Sequence, residues 1–170
     1  KFVRKVYELA EKLNIKETSS SRQNRFPHIE DQIVDEILAI FAEEASFDPK
    51  AIGKEKVNGK YIDKYYGIFQ LTQESMDECD KKGFLKKHGL KRLKMSSFKQ
   101  LSREKQLDYL IAYAELGKVY SKISDNEKIS PKILFSFIKG LGSGKRASIQ
   151  KICSGKIAKR QKERGQINIT

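Results

Sequence analysis

The sequence has little of the residues that build disulfide scaffolds, metal centres and membrane spans. It has no tryptophan, and its two histidines, His28 and His88, have no partner at the spacing of a metal site or a catalytic base, so we expect both at the surface. The two cysteines, Cys79 and Cys153, are too few for a disulfide framework and predict free thiols. No apolar run approaches the roughly 20 residues that a membrane span requires, and no signal peptide is visible.

Acidic residues are outnumbered. The chain has 35 Lys and Arg against 22 Asp and Glu, a net charge of +13. Such a charge attracts polyanions, among them nucleic acid, anionic lipid surfaces and bacterial wall polymers that carry phosphate and carboxylate. With 38% hydrophobic residues in 170, the chain can bury a core and fits one domain. The sequence therefore predicts a single folded domain with a polyanionic partner, whose kind the charge alone does not decide.

Helical periodicity runs through most of the chain. Apolar residues recur at helical spacing over residues 1–13, and again along a stripe that contains Ile33, Ile37 and Phe41. Three later helices are predicted to begin at capping residues, which are Thr72, Ser102 and Ser130. Residues 16–28 indicate a loop, and residues 51–70, rich in glycine and tyrosine, a long loop or a short hairpin. The fold class predicted is mainly α.

One acid, Glu44, stands on the apolar stripe of the second helix. It follows Ile37 by seven positions and lies about 20° from it around the helix axis, whereas Glu43 falls off the stripe and is expected in solvent. A carboxyl group on an apolar face loses hydration, which favours its protonated form. Such a group can donate a proton to a leaving-group oxygen. The alternative is a frayed last turn with both acids in water.

Two motifs around Glu44 resemble those of the lytic transglycosylase and goose-type lysozyme superfamily. In that family a helix ends in a glutamate within a motif of the type E-S-x-F-N-P, and this chain has EASFDP at residues 44–49. Further on the family has G-L-M-Q-L, and this chain has GIFQL at residues 67–71. The resemblance covers residues 30–72 and is fainter in the C-terminal half. It implies one lysozyme-like (α+β) domain over residues 1–170, with a short hairpin or long loop between the two motifs. The run of Lys and Arg near the C-terminus separately indicates a basic helix or tail at 155–170.

The resemblance implies an enzyme that cleaves peptidoglycan between N-acetylmuramic acid and N-acetylglucosamine. Glu44 would protonate the bridging oxygen and, in a transglycosylase, then take a proton from the muramic 6-hydroxyl so that a 1,6-anhydro ring forms. In a lysozyme water attacks instead, and inversion requires a second carboxylate about 6.5–9.5 Å away. Asp63 is the candidate for that water-activating acid, with an ordinary solvated loop acid as the alternative; Asp48 is expected in a turn. Since no second acid is secure, we expect a transglycosylase.

The same resemblance, with the tyrosine-rich loop, implies a set of sugar contacts. Gln70 would hydrogen-bond an acetamido or hydroxyl group, Gly67 would let the backbone approach the sugar, and the tyrosines could stack on sugar rings. The expected substrate-binding residues are Ser46, Tyr65, Tyr66, Gly67, Phe69, Gln70 and Phe137. No metal and no cofactor is expected.

The chain departs from the family at two places. The family often has a serine nine residues after the acid, where this chain has Gly53. Its third motif, A-Y-N-A-G, falls on SFIKG at residues 136–140, which keeps an aromatic at Phe137 but has neither the tyrosine hydroxyl nor the asparagine. Either the alignment slips there or other residues position the acid and the substrate. Phe137 is as compatible with the core as with a cleft.

A second class of function is a non-catalytic module that binds wall polymer or nucleic acid by charge. The basic stretches at residues 81–99 and 156–164 would supply that charge, unless they are only solvated faces. Aromatic residues for base stacking are scarce in both, which disfavours nucleic acid. The expected partners are peptidoglycan glycan strands and a larger phage virion or cell-envelope assembly. The expected place of action is the bacterial cell wall, periplasmic or extracellular, or on a virion.

Overall fold

The computed structural model describes residues 1–19, 26–140 and 155–162. These ranges contain eight helices and one two-stranded antiparallel sheet, so the mainly α class is confirmed. The helices are α1 Phe2–Lys12, α2 Ile29–Ala45, α3 Gln73–Lys81, α4 Phe84–Lys87, α5 Met95–Phe98, α6 Arg103–Tyr120, α7 Pro131–Lys139 and α8 at residues 155–162. The strands are β1 Ile52–Val57 and β2 Lys60–Tyr66.

Helix α2 lies at the centre of the molecule. The predicted stripe is buried, with Ile37 and Phe41 fully inaccessible to solvent. Burial also extends around the whole helix, because every residue from position 32 to position 41 is buried. Helices α1 and α7 pack against α2, and α6 packs against α1, α3, α4 and α7. A helix that is covered on all sides forms the core rather than a wall of the domain.

Two of the three predicted helix caps are confirmed. Thr72 Oγ1 accepts the backbone N–H of Ser75 at 3.1 Å, and Ser102 Oγ accepts that of Lys105 at 3.3 Å. Ser130 does precede α7, but its buried hydroxyl makes no hydrogen bond to any described residue. The cap comes from Ser19 instead, whose Oγ accepts the backbone N–H of Lys132 at 2.6 Å. A cap supplied from 113 residues away has no local signal in the sequence.

The segment between the two motifs is a hairpin, which decides between the two predicted alternatives. Its strands pair from Val57 opposite Lys60 to Ile52 opposite Tyr66, with a register shift after Gly53. The two-residue turn is Asn58-Gly59, and both residues have positive φ (51° and 80°). This is the backbone that a type I′ turn requires, and Asn-Gly is its favoured sequence.

Gln106 of α6 joins the base of the hairpin to the helical core. Its side-chain Oε1 accepts the backbone N–H of Ile68 at 2.9 Å. Its Nε2 donates to the carbonyl oxygens of Pro49 (2.8 Å) and Phe98 (3.1 Å). One buried amide therefore holds both motif segments, residues 44–49 and 67–71, in a fixed relation.

Two acids, Asp35 and Glu36, are completely buried in the middle of α2. Asp35 Oδ2 accepts a hydrogen bond from Gln161 Nε2 at 2.6 Å, and Glu36 Oε1 accepts the backbone N–H of Ser19 at 2.6 Å. Burial raises the pKa of Glu36 to about 7, and the charge of Asp35 adds to this although hydrogen bonds from Ser19 and Gln32 oppose it. Glu36 therefore changes its charge near neutral pH.

Cys79 is a free, buried thiol, as predicted, while Cys153 lies outside the described residues. Burial, together with the charges of Glu115 and Glu78, raises the pKa of Cys79 to about 12, which keeps it a thiol at neutral pH. Across the described ranges, we find no helix with both the length and the apolar character to cross a bilayer.

The titration of Glu36 predicts how stability depends on pH. Between about pH 4.5 and pH 7 the folded protein keeps a proton on Glu36 that the unfolded chain releases, so the free energy of unfolding should fall as the pH rises through this window. Glu36→Gln removes this titration. We expect the free energy of unfolding of the variant to exceed that of wild type by about 3 kcal/mol at pH 8 and to be nearly equal to it at pH 4.

Urea unfolding followed by circular dichroism from pH 4 to pH 8 measures the effect. Glu17→Gln, an exposed acid of the neighbouring segment, is the matched control and should leave the pH dependence unchanged. If the free energies of unfolding of Glu36→Gln and wild type differed by the same amount at every pH, Glu36 would not be the group that titrates in this window.

Candidate active site

Glu44 lies in the last turn of α2, where the helix is stopped abruptly. Ser46 and Phe47 both have positive φ (48° and 64°), so the chain turns away directly after Ala45. The ring of Phe47 packs edge-on against Phe2, with centroids 6.4 Å apart. The turn is thus ordered, and the side chain of Glu44 is only 7% exposed. The alternative of a frayed turn with both acids in water is wrong for this structure.

The carboxyl group of Glu44 forms an ion pair with Lys139, the last residue of α7. Lys139 Nζ lies 2.9 Å from Glu44 Oε1. This buried oxygen accepts no hydrogen bond from any other described residue. The side chain of Lys139 is 37% exposed and its ammonium also lies over the ring of Phe135, 5.5 Å from the centroid. The acid is therefore buried, while its counter-ion reaches solvent.

A tyrosine from α6 lies on the inner side of the site. The Tyr113 hydroxyl donates to the carbonyl oxygen of Phe137 at 2.6 Å. Burial raises the pKa of Tyr113, and the charge of Glu44 raises it further, so the hydroxyl stays a donor. This bond fixes the backbone of α7 two residues before Lys139.

The side chain of Phe137 belongs to the core. It is 2% exposed and lies over Gly117, where an added Cβ would come within 2.5 Å of its ring. The sequence is compatible with Phe137 in the core or in a cleft, and the structure places it in the core. A direct sugar contact from Phe137 would require the core to open.

Gln70 and Gly53 fit each other across the start of the hairpin. Gln70 has a positive φ (57°), and its Nε2 donates to the carbonyl oxygens of Gly67 (3.0 Å) and Ala51 (3.4 Å). A Cβ added to Gly53 would lie 2.3 Å from Gln70 Oε1 and 3.0 Å from Tyr65 Cβ. Glycine at position 53 therefore makes room for the Gln70 amide, which gives the departure from the family's serine a packing reason. The sugar contact expected of Gln70 stays a prediction.

The other residues of the second motif face inward. Gly67 is buried with φ at 82°, and an added Cβ would meet Gln106 Oε1 at 2.6 Å and the Phe98 ring at 2.7 Å. Phe69 is 1% exposed and packs between Phe98 and Tyr113, with centroid distances of 5.8 and 6.0 Å. The close approach that Gly67 allows is thus to the protein's own core, and Phe69 supports the loop from inside.

Asp63 lies on the hairpin in a different environment. Its side chain is 49% exposed and its Oδ1 is 3.8 Å from Lys54 Nζ. Together with Tyr66 it lines a groove of about 570 Å³ between the hairpin and residues 92–96. Glu44 is not among the residues that line this groove. The geometry favours the solvated loop acid over the water-activating one.

The remaining predicted contacts are spread over the hairpin and the end of α2. Tyr65 and Tyr66 are half-buried at the end of β2, with Lys64 Nζ 5.7 Å from the centroid of the Tyr65 ring. Ser46 is exposed and donates its backbone N–H to the carbonyl oxygen of Ala42. Asp48 Oδ1 accepts the backbone N–H of Lys50 at 2.9 Å, which confirms its expected turn role.

Glu43 corrects a prediction, because it is not solvated. Its side chain is 16% exposed, Arg160 Nε donates to its Oε2 at 2.5 Å, and Lys156 Nζ lies 3.3 Å from its Oε1. Burial tends to raise the pKa of Glu43, but the hydrogen bonds from Arg160 and Lys156 outweigh it and lower the pKa. The missed signal is the four-residue spacing of these cations, which places both on one helix face.

The basic C-terminal stretch is therefore a docked helix over its described part. Ile157 of α8 is 1% exposed, and Lys156 and Arg160 are engaged by Glu43. The part of the predicted tail at residues 163–170 lies outside the described residues.

His88 also corrects a prediction. Its Nε2 lies 2.8 Å from Glu115 Oε1, and its side chain is 23% exposed, so it links α4 to α6 rather than standing free at the surface. Within the described ranges, no group of three or more His, Cys, Asp or Glu side chains could hold a metal ion.

Comparison with known proteins adds no relative. The chain matches no family model, and no curated protein or solved structure is significantly similar to it. The resemblance to lytic transglycosylases therefore depends on the motif residues of the sequence alone.

The fit between Gly53 and Gln70 predicts a coupled pair. Gly53→Ala should displace the Gln70 amide from its two carbonyl partners and lower the free energy of unfolding by about 1–2 kcal/mol. In a Gln70→Ala background, Gly53→Ala should lower the free energy of unfolding by about 1 kcal/mol less, because the Gln70 amide that it would displace is absent. Urea unfolding of the four proteins of this double-mutant cycle measures the coupling. Fully additive effects would show that the two residues do not share one space.

Proposed function

We propose that this protein cleaves the glycan strands of peptidoglycan as a lytic transglycosylase with a lysozyme-like fold. Glu44 is the acid and then the base, acting on the bond between N-acetylmuramic acid and N-acetylglucosamine. The observation that carries the proposal is a glutamate whose side chain is only 7% exposed at the end of the central helix. The hairpin follows in the chain, and its far end returns to its start, since the Gly67 N–H donates to the Ala51 carbonyl oxygen at 2.9 Å.

The reaction requires one carboxyl group and no added water. Protonated Glu44 gives its proton to the bridging oxygen as the bond from that oxygen to the muramic C1 breaks. The carboxylate then takes the proton of the muramic 6-hydroxyl while that oxygen bonds to C1. The 1,6-anhydro ring closes and Glu44 has its proton back. For this cycle to begin, Lys139 must leave the contact seen at 2.9 Å and Glu44 must take up a proton.

The single acid favours this reaction over hydrolysis. An inverting lysozyme needs a second carboxylate that holds water across the sugar from the first. The candidate, Asp63, is half exposed, lies near Lys54, and lines a groove that does not include Glu44. An anhydro-forming enzyme has no such requirement.

A non-catalytic module is the second candidate, and the ion pair between Glu44 and Lys139 favours it. In such a module the pair would attach α7 to α2. Several cations of the basic stretch at residues 81–99 are exposed and have no ion pair to a described acid, and could bind an anionic wall polymer by charge. These are Lys81, Lys86, Lys91 and Lys94. In either case we propose the bacterial wall as the place of action, with a virion or envelope assembly as the setting.

The products separate these functions. We expect wild-type protein to release muropeptides with 1,6-anhydro ends from purified peptidoglycan, as seen by mass spectrometry, and Glu44→Gln to lose at least about 100-fold in rate because the proton donor is removed. The adjacent acid provides the matched control, since Glu43→Gln should retain cleavage. Asp63→Asn should also retain it.

Other products would change the assignment. Reducing ends, lost in Asp63→Asn, would identify a hydrolase in which Asp63 activates water. Binding of wild type and Glu44→Gln to wall polymer with equal affinity, and no cleavage by either on several wall types, would leave the binding module.

A further inference from the structure

The ammonium group of Lys139 occupies a boundary between the buried acid and solvent. One side of it meets Glu44 Oε1 at 2.9 Å, and the side chain as a whole is 37% exposed. An ammonium has three N–H donors, so a partner on the solvent side can approach without passing through the core. The side chain of Glu44 is less accessible, at 7% exposed.

The contact is of a kind that can be exchanged. Glu44 Oε1 accepts no hydrogen bond from any other described residue, so the ion pair with Lys139 is the one polar contact found for this oxygen. The ring of Phe135 lies 5.5 Å from the ammonium and stabilises the cation whichever anion it faces. A second carboxylate arriving from solvent would therefore compete with Glu44 for the same cation.

The proposed substrate carries such a carboxylate. N-acetylmuramic acid differs from N-acetylglucosamine by a lactic acid ether, whose carboxyl group is free or joined to a peptide that ends in carboxylates. Neutral glucosamine polymers lack it. A cation beside the reacting acid would thus distinguish the two classes of glycan by charge.

We propose that Lys139 determines specificity for carboxylate-bearing sugars by exchanging its ion pair with Glu44 for one with the substrate. The inference rests on the proposed function and assigns a substrate contact within it. Once Lys139 binds the substrate's carboxylate, it no longer pairs with Glu44, which is then available to act on the glycosidic bond. A neutral glycan leaves the original pair in place.

Binding measurements test this without relying on turnover. The ligands are soluble glycan strands in three forms: with free lactyl carboxylates, with their peptides, and with all carboxyl groups amidated. By calorimetry, Lys139→Met should weaken binding of a carboxylate-bearing strand about tenfold and leave the amidated strand unchanged. Comparison of the first two forms shows whether the carboxylate is that of the lactyl group or of the peptide.

The exchange also predicts an effect of the opposite sign. Glu44→Gln removes the competitor for Lys139, so it should bind carboxylate-bearing strands several-fold more tightly than wild type. This gain in affinity should vanish in the double variant Lys139→Met/Glu44→Gln. Because the double variant has no uncompensated buried charge, it also provides the test if Lys139→Met alone fails to fold. Lys139→Arg should retain most of the preference, because it keeps the charge.

The outcomes separate this inference from the proposed function. A preference for carboxylate-bearing strands that persists in Lys139→Met overturns the role of Lys139, even if wild type forms anhydro products. A preference that depends on Lys139 supports it, even if no strand is cleaved and the proposed function fails. Equal binding of carboxylate-bearing and amidated strands by wild type, or binding of neither, overturns it.

Discussion

The burial of carboxylates along one helix is the constraint on which the rest of the structure depends. Between positions 35 and 44, α2 carries four acids, none of which is left to water, and their partners are Gln161, Ser19, Arg160 and Lys139. An uncompensated buried carboxylate is costly, so each partner must be in place when the protein is folded. Residues before α2, in α7 and in α8 are thereby fixed to a single helix. The positions of α7 and α8 are thus specified by polar contacts as well as by apolar packing.

The four acids differ in how firmly they are held. Asp35 and Glu36 are inaccessible and bound by directed hydrogen bonds from neutral groups. Glu43 and Glu44 are neighbours, yet about 100° apart around the axis, so one meets α8 and the other α7. The ion pair of Glu43 includes a directed hydrogen bond from Arg160. The ion pair of Glu44 is a charge contact to a half-exposed lysine. Glu44 is therefore the acid whose partner can be replaced at least cost.

Much of the fold could be predicted from the sequence, because helices α1, α2, α3 and α6 are specified by local spacing and neighbouring caps. The errors concern contacts between distant segments. The partner of Glu43 lies 117 residues away and the group that caps α7 lies 113 residues away. The spacing of Lys156 and Arg160 indicates that they share a helix face, but no local pattern indicates which acid they meet or that Ser19 caps α7. The hairpin is a different case, since Asn58-Gly59 is a turn signal that would have decided between hairpin and loop. The burial of Glu44 followed correctly from its position relative to Ile37.

The motif residues show why a site is harder to predict than a fold. A motif is retained for the shape of its loop as well as for its chemistry, and Gly67 and Phe69 here meet the core rather than solvent. Departures from a motif can likewise have a packing cause, as Gly53 does beside Gln70. Lys139 stands at the fourth position of residues 136–140, where the resemblance would place an alanine. A lysine at this position brings a cation to within 2.9 Å of the acid. The Lys139 side chain meets Glu44 and is also 37% exposed, so an anion from solvent can contact the cation without entering the core.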